Sequence, residues 1–288
     1  MGAVLCFAVM GASVKYGGDH HVSAFELLFY RNLISFPMIL LWIWIGPGFR
    51  IVRTKRPGAH LIRATIGLIS MSLNFQAFII LPLAEAMTIG FAAPLFATIL
   101  SALVLRETVG IHRWGAVLIG FVGVMAVMQP GTSGLPLEGL AMAILAALGV
   151  AFVTVTVRQI GTTEHPATTV FWFNLAAIVA LLPTLPFVAQ AHPPAVWGST
   201  AIMAIAGGLA QIWLTSSLRY APIAVLAPID YLQLFWAAII GWVMWSHSPS
   251  LSTLGGGLLI AAAGIYTTLR EHVLRRRALA SLATPQPF

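Results

Sequence analysis

LPLAEAMTIGFAAPLFATILSALVLRETVGIHRWGAVLIGFVGVM, residues 81–125, decides the architecture. It holds the apolar stretch 86–105 and most of a second, 113–129, joined by a short link that carries Arg106 and Glu107 and ends at Arg113. A membrane-crossing helix needs roughly 20 predominantly apolar residues, and both stretches come close to or reach that length. Reading outward, further stretches of the same kind fall at 1–17, 26–46, 61–80, 137–157, 167–188, 196–216, 223–245 and 252–270, which makes ten. They are apolar on all sides and rich in Leu, Ala, Ile and Gly, whereas a membrane β-barrel would show runs of about ten residues alternating apolar and polar. The expected fold class is an all-α membrane protein with ten transmembrane helices.

Composition agrees. Charged residues are 8% of the 288, apolar residues 59%, and the mean hydropathy is +0.93; an average soluble domain carries about 25% charged residues. The net charge of +7 has a topological explanation rather than a nucleic-acid one. Arg50, Arg53, Lys55, Arg56, Arg63, Arg106, Arg113, Arg158, Arg219, Arg270, Arg275, Arg276 and Arg277 fall in alternate gaps, and only Lys15 and Arg31 do not. Basic residues concentrate on the cytoplasmic side of membrane proteins, so both termini are expected in the cytoplasm. Met1 opens the first stretch with no basic lead-in and no small-residue cleavage site, so it reads as a span rather than a cleaved leader.

The chain reads as one architecture written twice. GGDHHVSAFELLFYRNL (17–33) parallels GTTEHPATTVFWFNL (161–175), setting Asn32 opposite Asn174. The fourth span parallels LRYAPIAVLAPIDYLQLFWAAIIGW (218–242), and WGAVLIGFVGVM (114–125) parallels GGGLLIAAAGIY (255–266). The expected organisation is a first five-helix unit at 1–130, a linker at 131–136, a second unit at 137–270 and a basic cytoplasmic tail at 271–288. An odd number of spans per unit turns the second upside down relative to the first. Inverted repeats of this sort are a feature of secondary transporters, whose site lies near mid-membrane.

The motifs quoted above resemble the EamA-type branch of the drug/metabolite transporter superfamily. Pro82 to Ala86 opens the fourth span, Pro94 lies within it, and Glu107, Trp114 and Gly115 stand where the family has an acidic residue and a Trp-Gly pair. The second half departs from that pattern, with Tyr231 after Asp230 and WVMWSHSPS in place of a Gly-Glu turn. The resemblance implies a bacterial inner-membrane carrier of ten helices in two five-helix repeats. Substrates of such carriers include amino acids, purines, S-adenosylmethionine, riboflavin, quaternary amines and drug-like cations. It covers the whole chain but fixes neither substrate nor direction.

Asp230 is the most informative ionisable residue, since a carboxylate at the centre of a span costs around 2.5–3.5 kcal/mol on insertion scales. Gln233 and Trp236 follow at three-residue spacing and Tyr231 adjoins, forming a polar and aromatic stripe. It reads either as a substrate-contacting or proton-coupling face, or as an interfacial salt bridge from Asp230 to Arg219. Asn74 with Phe78 on one face, and Gln211 in line with Thr215, with Trp213 off to one side, are candidate substrate contacts; amides that only pack helices would give the same sequence. The aromatic rings of Trp213, Tyr231 and Trp236 suit a cation or an aromatic metabolite. Lys15, Arg31 and Glu85 are expected near the outer mouth, as a gate or a plain interfacial salt bridge. Gly115, Gly120, Gly123, Gly255, Gly256, Gly257 and Gly264 invite close helix packing. Pro82, Pro94, Pro222 and Pro228 invite bending.

No phosphate-cradling Gly-rich loop precedes Lys-Ser or Lys-Thr, and neither Cys6 nor the eight histidines have the spacing of a metal site. No enzyme activity, cofactor, metal or nucleic acid is expected. The partners are a small-molecule substrate, membrane lipids and protons, with the chain a monomer or weak homodimer. Secondary active transport of a small organic metabolite by alternating access is the leading function. A lipid flippase or a multidrug exporter of the same fold is the alternative.

Overall fold

A computed structural model describes residues 2–104, 109–129, 134–161, 163–220 and 229–283. No β-strand occurs among them. The helices are α1 (Gly2–Asp19), α2 (Ala24–Ile45), α3 (Pro57–Ile80), α4 (Leu83–Gly90), α5 (Ala93–Leu103), α6 (Ile111–Met128), α7 (Leu137–Ile160), α8 (Pro166–Leu181), α9 (Leu185–Val188), α10 (Pro194–Tyr220), α11 (Leu232–Trp245) and α12 (Leu251–Ala283).

Local chemistry sets their ends. The Ser23 hydroxyl accepts from the Phe25 amide and starts α2, satisfying one of the amides that a helix N-terminus leaves unpaired. Pro57 opens α3 and Pro166 opens α8, where the missing N–H costs nothing. The fourth span is not one helix. Pro94 lies in the first turn of α5, where it has no N–H to give and its ring conflicts with the carbonyl four residues back. The chain turns at Phe91 and Ala92 instead of running straight through.

Among the described residues, eight helices are long and apolar enough to cross a membrane, counting α4 with α5 and α8 with α9 as single spans. The sequence led us to expect ten. The two outside that number are α1, whose last turns hold Lys15, Gly17, Gly18 and Asp19, and α11, described over only 14 residues. Pro222 and Pro228 lie outside the described residues, as do Arg106, Glu107 and most of the 130–136 link.

The packing crosses between the halves of the chain. α1 lies along α10, and α3 along α7; α5 meets α7, and α11 meets α1; α2 meets α8, and α6 lies along α12. Leu27, Leu28, Phe75, Leu81, Leu83, Ile89 and Leu95 are fully buried in one shared apolar core. Large apolar side chains such as Leu118, Val122, Leu251 and Leu258 face outward, as a lipid-facing surface requires.

Two polar ends bracket this apolar body. At one, the Trp245 indole donates to Asp19 (2.6 Å), His192 Nε2 lies 3.1 Å from both Glu26 oxygens, and the Thr253 hydroxyl donates to Glu85 (3.2 Å). At the other, Thr168 and Trp172 of α8 donate to the carbonyls of Ile51 and Val52. Glu164 gathers the Thr54 hydroxyl, the Lys55 amide and His60 Nε2 there, at 2.5, 3.0 and 2.5 Å. The segment between α2 and α3 is thereby pinned to the α7–α8 link.

Candidate functional site

Between these ends, α2, α3, α8 and α10 enclose a polar network. Arg31 is 2% exposed. Its Nη2 donates to Gln211 Oε1 at 2.9 Å, and its Nη1 to Asn32 Oδ1 at 3.1 Å and towards Met71 Sδ at 3.6 Å. Asn32 and Asn174, both wholly buried, each donate back to the carbonyl four residues earlier, Leu28 at 2.7 Å and Val170 at 2.9 Å. The Ser35 hydroxyl joins them, 3.3 Å from Asn174 Oδ1 and 3.3 Å from the Asn32 carbonyl. The two asparagines that the internal likeness sets opposite each other thus meet through one serine.

A second guanidinium approaches from α3. Arg63 lies over the Phe173 ring with Cζ 4.3 Å from the centroid, a favourable cation–π arrangement. Gly67, one turn along, leaves it room, since a Cβ there would stand 3.1 Å from Phe173 and 3.6 Å from Arg63 Nη1. On α10, Gly207 does the same for Arg31, with a Cβ there 3.2 Å from its Nε. Arg31 Nε, Arg63 Nε and Arg63 Nη1 are buried without a hydrogen-bond partner. The charge of Arg63 is felt at Arg31.

Lys15 and Glu85 share a separate site near the Asp19 end, a cavity of about 260 Å³ lined also by Pro82, Leu83, Trp245 and His247. Lys15 Nζ donates to the Leu81 carbonyl at 2.9 Å, at the C-terminus of α3, where a cation is favoured. Glu85 is 4% exposed and its Oε2 has no partner. The two make no ion pair, and Arg31, expected beside them, is committed instead to Gln211 and Asn32. The reason is helical phase: Arg31 projects from α2 towards α10, and Glu85 faces Thr253 of α12.

The Asp230 stripe faces the break between α4 and α5. The Tyr231 ring lies 4.8 Å from that of Phe91, and its hydroxyl packs against Gly264, where no Cβ would fit. Gln233 Nε2 reaches Met87 Sδ at 3.8 Å, and Trp236 stacks edgewise on Phe235. Asn74 is partly exposed. Phe78 is buried against α1 beside Gly11. Trp213 is 45% exposed and covers Gly2 in the first turn of α1. Gln211, two residues before it, points instead into the network and is joined to Arg31.

Arg63, Ser35, Asn32 and Asn174 were not among the residues singled out from sequence as substrate contacts. By sequence Arg63 belongs with the basic residues that set topology, yet it is the seventh residue of α3 and its side chain is covered. The parallel between Asn32 and Asn174 was the one sequence signal leading to this network.

Comparisons with known proteins fit this architecture. A solved crystal structure superposes with a TM-score of 0.64 over 95% of this chain and 98% of its own, at 17% identity, which speaks for the fold alone. A pseudopaline exporter from Pseudomonas aeruginosa is 27% identical over 91% of this chain and 92% of its own length. An S-adenosylmethionine uptake transporter from Rickettsia felis is 26% identical over 89% of this chain and 86% of its own. The EamA-like transporter family profile matches twice, at residues 1–129 and 137–270. Many apolar helices around a buried polar centre, matched along nearly the whole length, make this chain a multi-pass membrane protein that belongs to the EamA-like transporter family.

Proposed function

We propose that the protein is a secondary active carrier of the bacterial inner membrane that moves a small organic metabolite by alternating access. In this reading ten spans form two inverted five-helix units, 1–130 and 137–270, with both termini cytoplasmic. The observation that carries it is the crossed packing. The first helix of each half lies on the third of the other, α1 on α10 and α7 on α3, and the fifth helices lie on each other. Two units interleaved in this way can rock about a shared centre while that centre stays fixed.

The α4–α5 break at Phe91 supplies a bend next to Tyr231, so the Asp230, Tyr231 and Gln233 stripe stands where movement would be sensed. Asn74, Gln211 and Asp230 are the proposed substrate and coupling contacts. Lys15 and Glu85 are the proposed gate at the Asp19 end. Phe78, Trp213 and Trp236 act through packing.

The test is uptake and efflux in proteoliposomes for an aromatic amino acid, S-adenosylmethionine, riboflavin and a quaternary amine, with and without a proton gradient. Saturable flux of one compound, with gradient dependence lost in Asp230→Asn, supports carrier and coupling role together. Flux unchanged in that variant removes Asp230 from the mechanism and leaves the carrier.

A further inference from the structure

Arg31 and Arg63 are an electrostatic problem that the protein alone does not solve. A guanidinium removed from water is costly unless a carboxylate and hydrogen bonds compensate, and two of like sign together are costlier. Arginine keeps its proton under all ordinary conditions, so neutralisation offers no escape. Cation–π contact with Phe173 offsets part of the cost for Arg63, and the amides of Asn32 and Gln211 part of it for Arg31.

The described carboxylates are all engaged or placed elsewhere. Asp19 accepts from Trp245, Glu26 faces His192, Glu85 accepts from Thr253, and Glu164 is held by Thr54 and His60. Glu138 lies in the exposed first turn of α7, and Asp230 forms no ion pair with either arginine. Three donor nitrogens of the pair remain buried without an acceptor: Arg31 Nε, Arg63 Nε and Arg63 Nη1. Buried donors of this kind are uncommon in folded proteins and call for an explanation. Beside each guanidinium stands a glycine, Gly207 or Gly67, where a methyl group would press on Met10 Sδ and Arg31 Nε or on the Phe173 ring.

We infer that Arg31 and Arg63 form an anion subsite at the centre of the protein, and that the transported metabolite carries a carboxylate which completes it. A carboxylate supplies two oxygens with about four lone-pair directions, and arginine donates to it in charge-assisted bonds about twice as strong as neutral ones. Ser35 and Gln211 supply neutral polar contacts at the edge of the subsite, and Phe173 an aromatic wall. This deepens the carrier reading and rests on it for the word "transported"; binding of the anion stands apart from flux. It also narrows the expected substrate class to an organic acid or an amino acid held first by its carboxylate.

The experiment measures thermal unfolding and ligand competition on the purified full-length protein, and flux in proteoliposomes on the same preparation. The probes are matched pairs: benzoate against benzamide, phenylalanine against phenethylamine, and S-adenosylmethionine against its carboxyl methyl ester. The expected result is stabilisation by carboxylates and not by their partners, with apparent affinity about tenfold or more weaker in Arg31→Gln or Arg63→Gln. Arg63→Lys, which keeps the charge but loses the fork, is expected to fall between.

Equal response to both members of every pair overturns the inference, and that comparison on wild type decides it even where both glutamine variants fail to fold. Carboxylate binding without flux keeps the anion subsite and defeats the carrier. Flux of carboxylate-free compounds, undiminished in the variants, keeps the carrier and defeats the subsite.

Discussion

Gly123 of α6 and Gly256 of α12 stand backbone to backbone. A Cβ on Gly123 would lie 2.7 Å from the Gly256 carbonyl oxygen, and one on Gly256 2.5 Å from the Gly123 carbonyl oxygen. Neither obstacle is a flexible side chain, so a methyl group at either position must part the helices. In hydrocarbon, where close packing and dispersion hold helices together, overpacking of this kind costs about 1–3 kcal/mol. Gly123→Ala and Gly256→Ala are expected to lower the unfolding temperature in detergent. Gly255→Ala, where nothing lies within 4 Å, is expected to leave it unchanged.

The serine that joins the two asparagines gives a second test. Ser35→Ala removes the donor to Asn174 Oδ1 and leaves both asparagines bonded to their own helices. The expected loss is about 1 kcal/mol of stability. A double-mutant cycle of Ser35→Ala with Asn174→Ala should show a coupling of similar size; strictly additive losses would mean that the bond across the halves contributes nothing.

Glu164 makes the far end pH-sensitive. Burial pushes its carboxyl up, but the donors from Thr54, His60 and the Lys55 amide outweigh that and hold it below the usual carboxylate range. A folded-state value below the unfolded one contributes stability that is complete above the ordinary glutamate value of about 4.3. That stability is lost as the pH falls through the depressed value. Unfolding temperature measured from neutrality into acid should therefore fall more steeply for the wild type than for Glu164→Gln, which is expected to be less stable at pH 7. Parallel curves would rule this group out.

How much of this was written in the sequence follows from what each signal measures. Apolar length is a property of consecutive residues, so the helices from α2 to α8 appear within a few residues of the stretches that foretell them. The Pro94 break and the close-packing glycines at 123 and 256 follow from local sterics and were legible for the same reason. Arg63 was not, because it follows the basic run at residues 50–56 and its chemistry depends on Phe173, which belongs to another helix. Helical spacing aligns Gln211 with Thr215 on its own helix, whereas its partner Arg31 lies 180 residues away. Helical spacing reveals which residues share a face and not what that face meets. The pairing of Asn32 with Asn174 was the exception, because an internal repeat carries information about distant contacts.

Counterflow tests the central claim of alternating access most directly. Proteoliposomes are loaded with an unlabelled member of the panel that the protein carries, diluted into a trace of the same labelled compound, and the label inside is followed in time. The account expects a transient rise of label above its equilibrium level, weaker in Arg31→Gln, because a carrier returns faster when its site is occupied. Simple equilibration without overshoot, at a rate independent of the internal load, would contradict it and describe a pore.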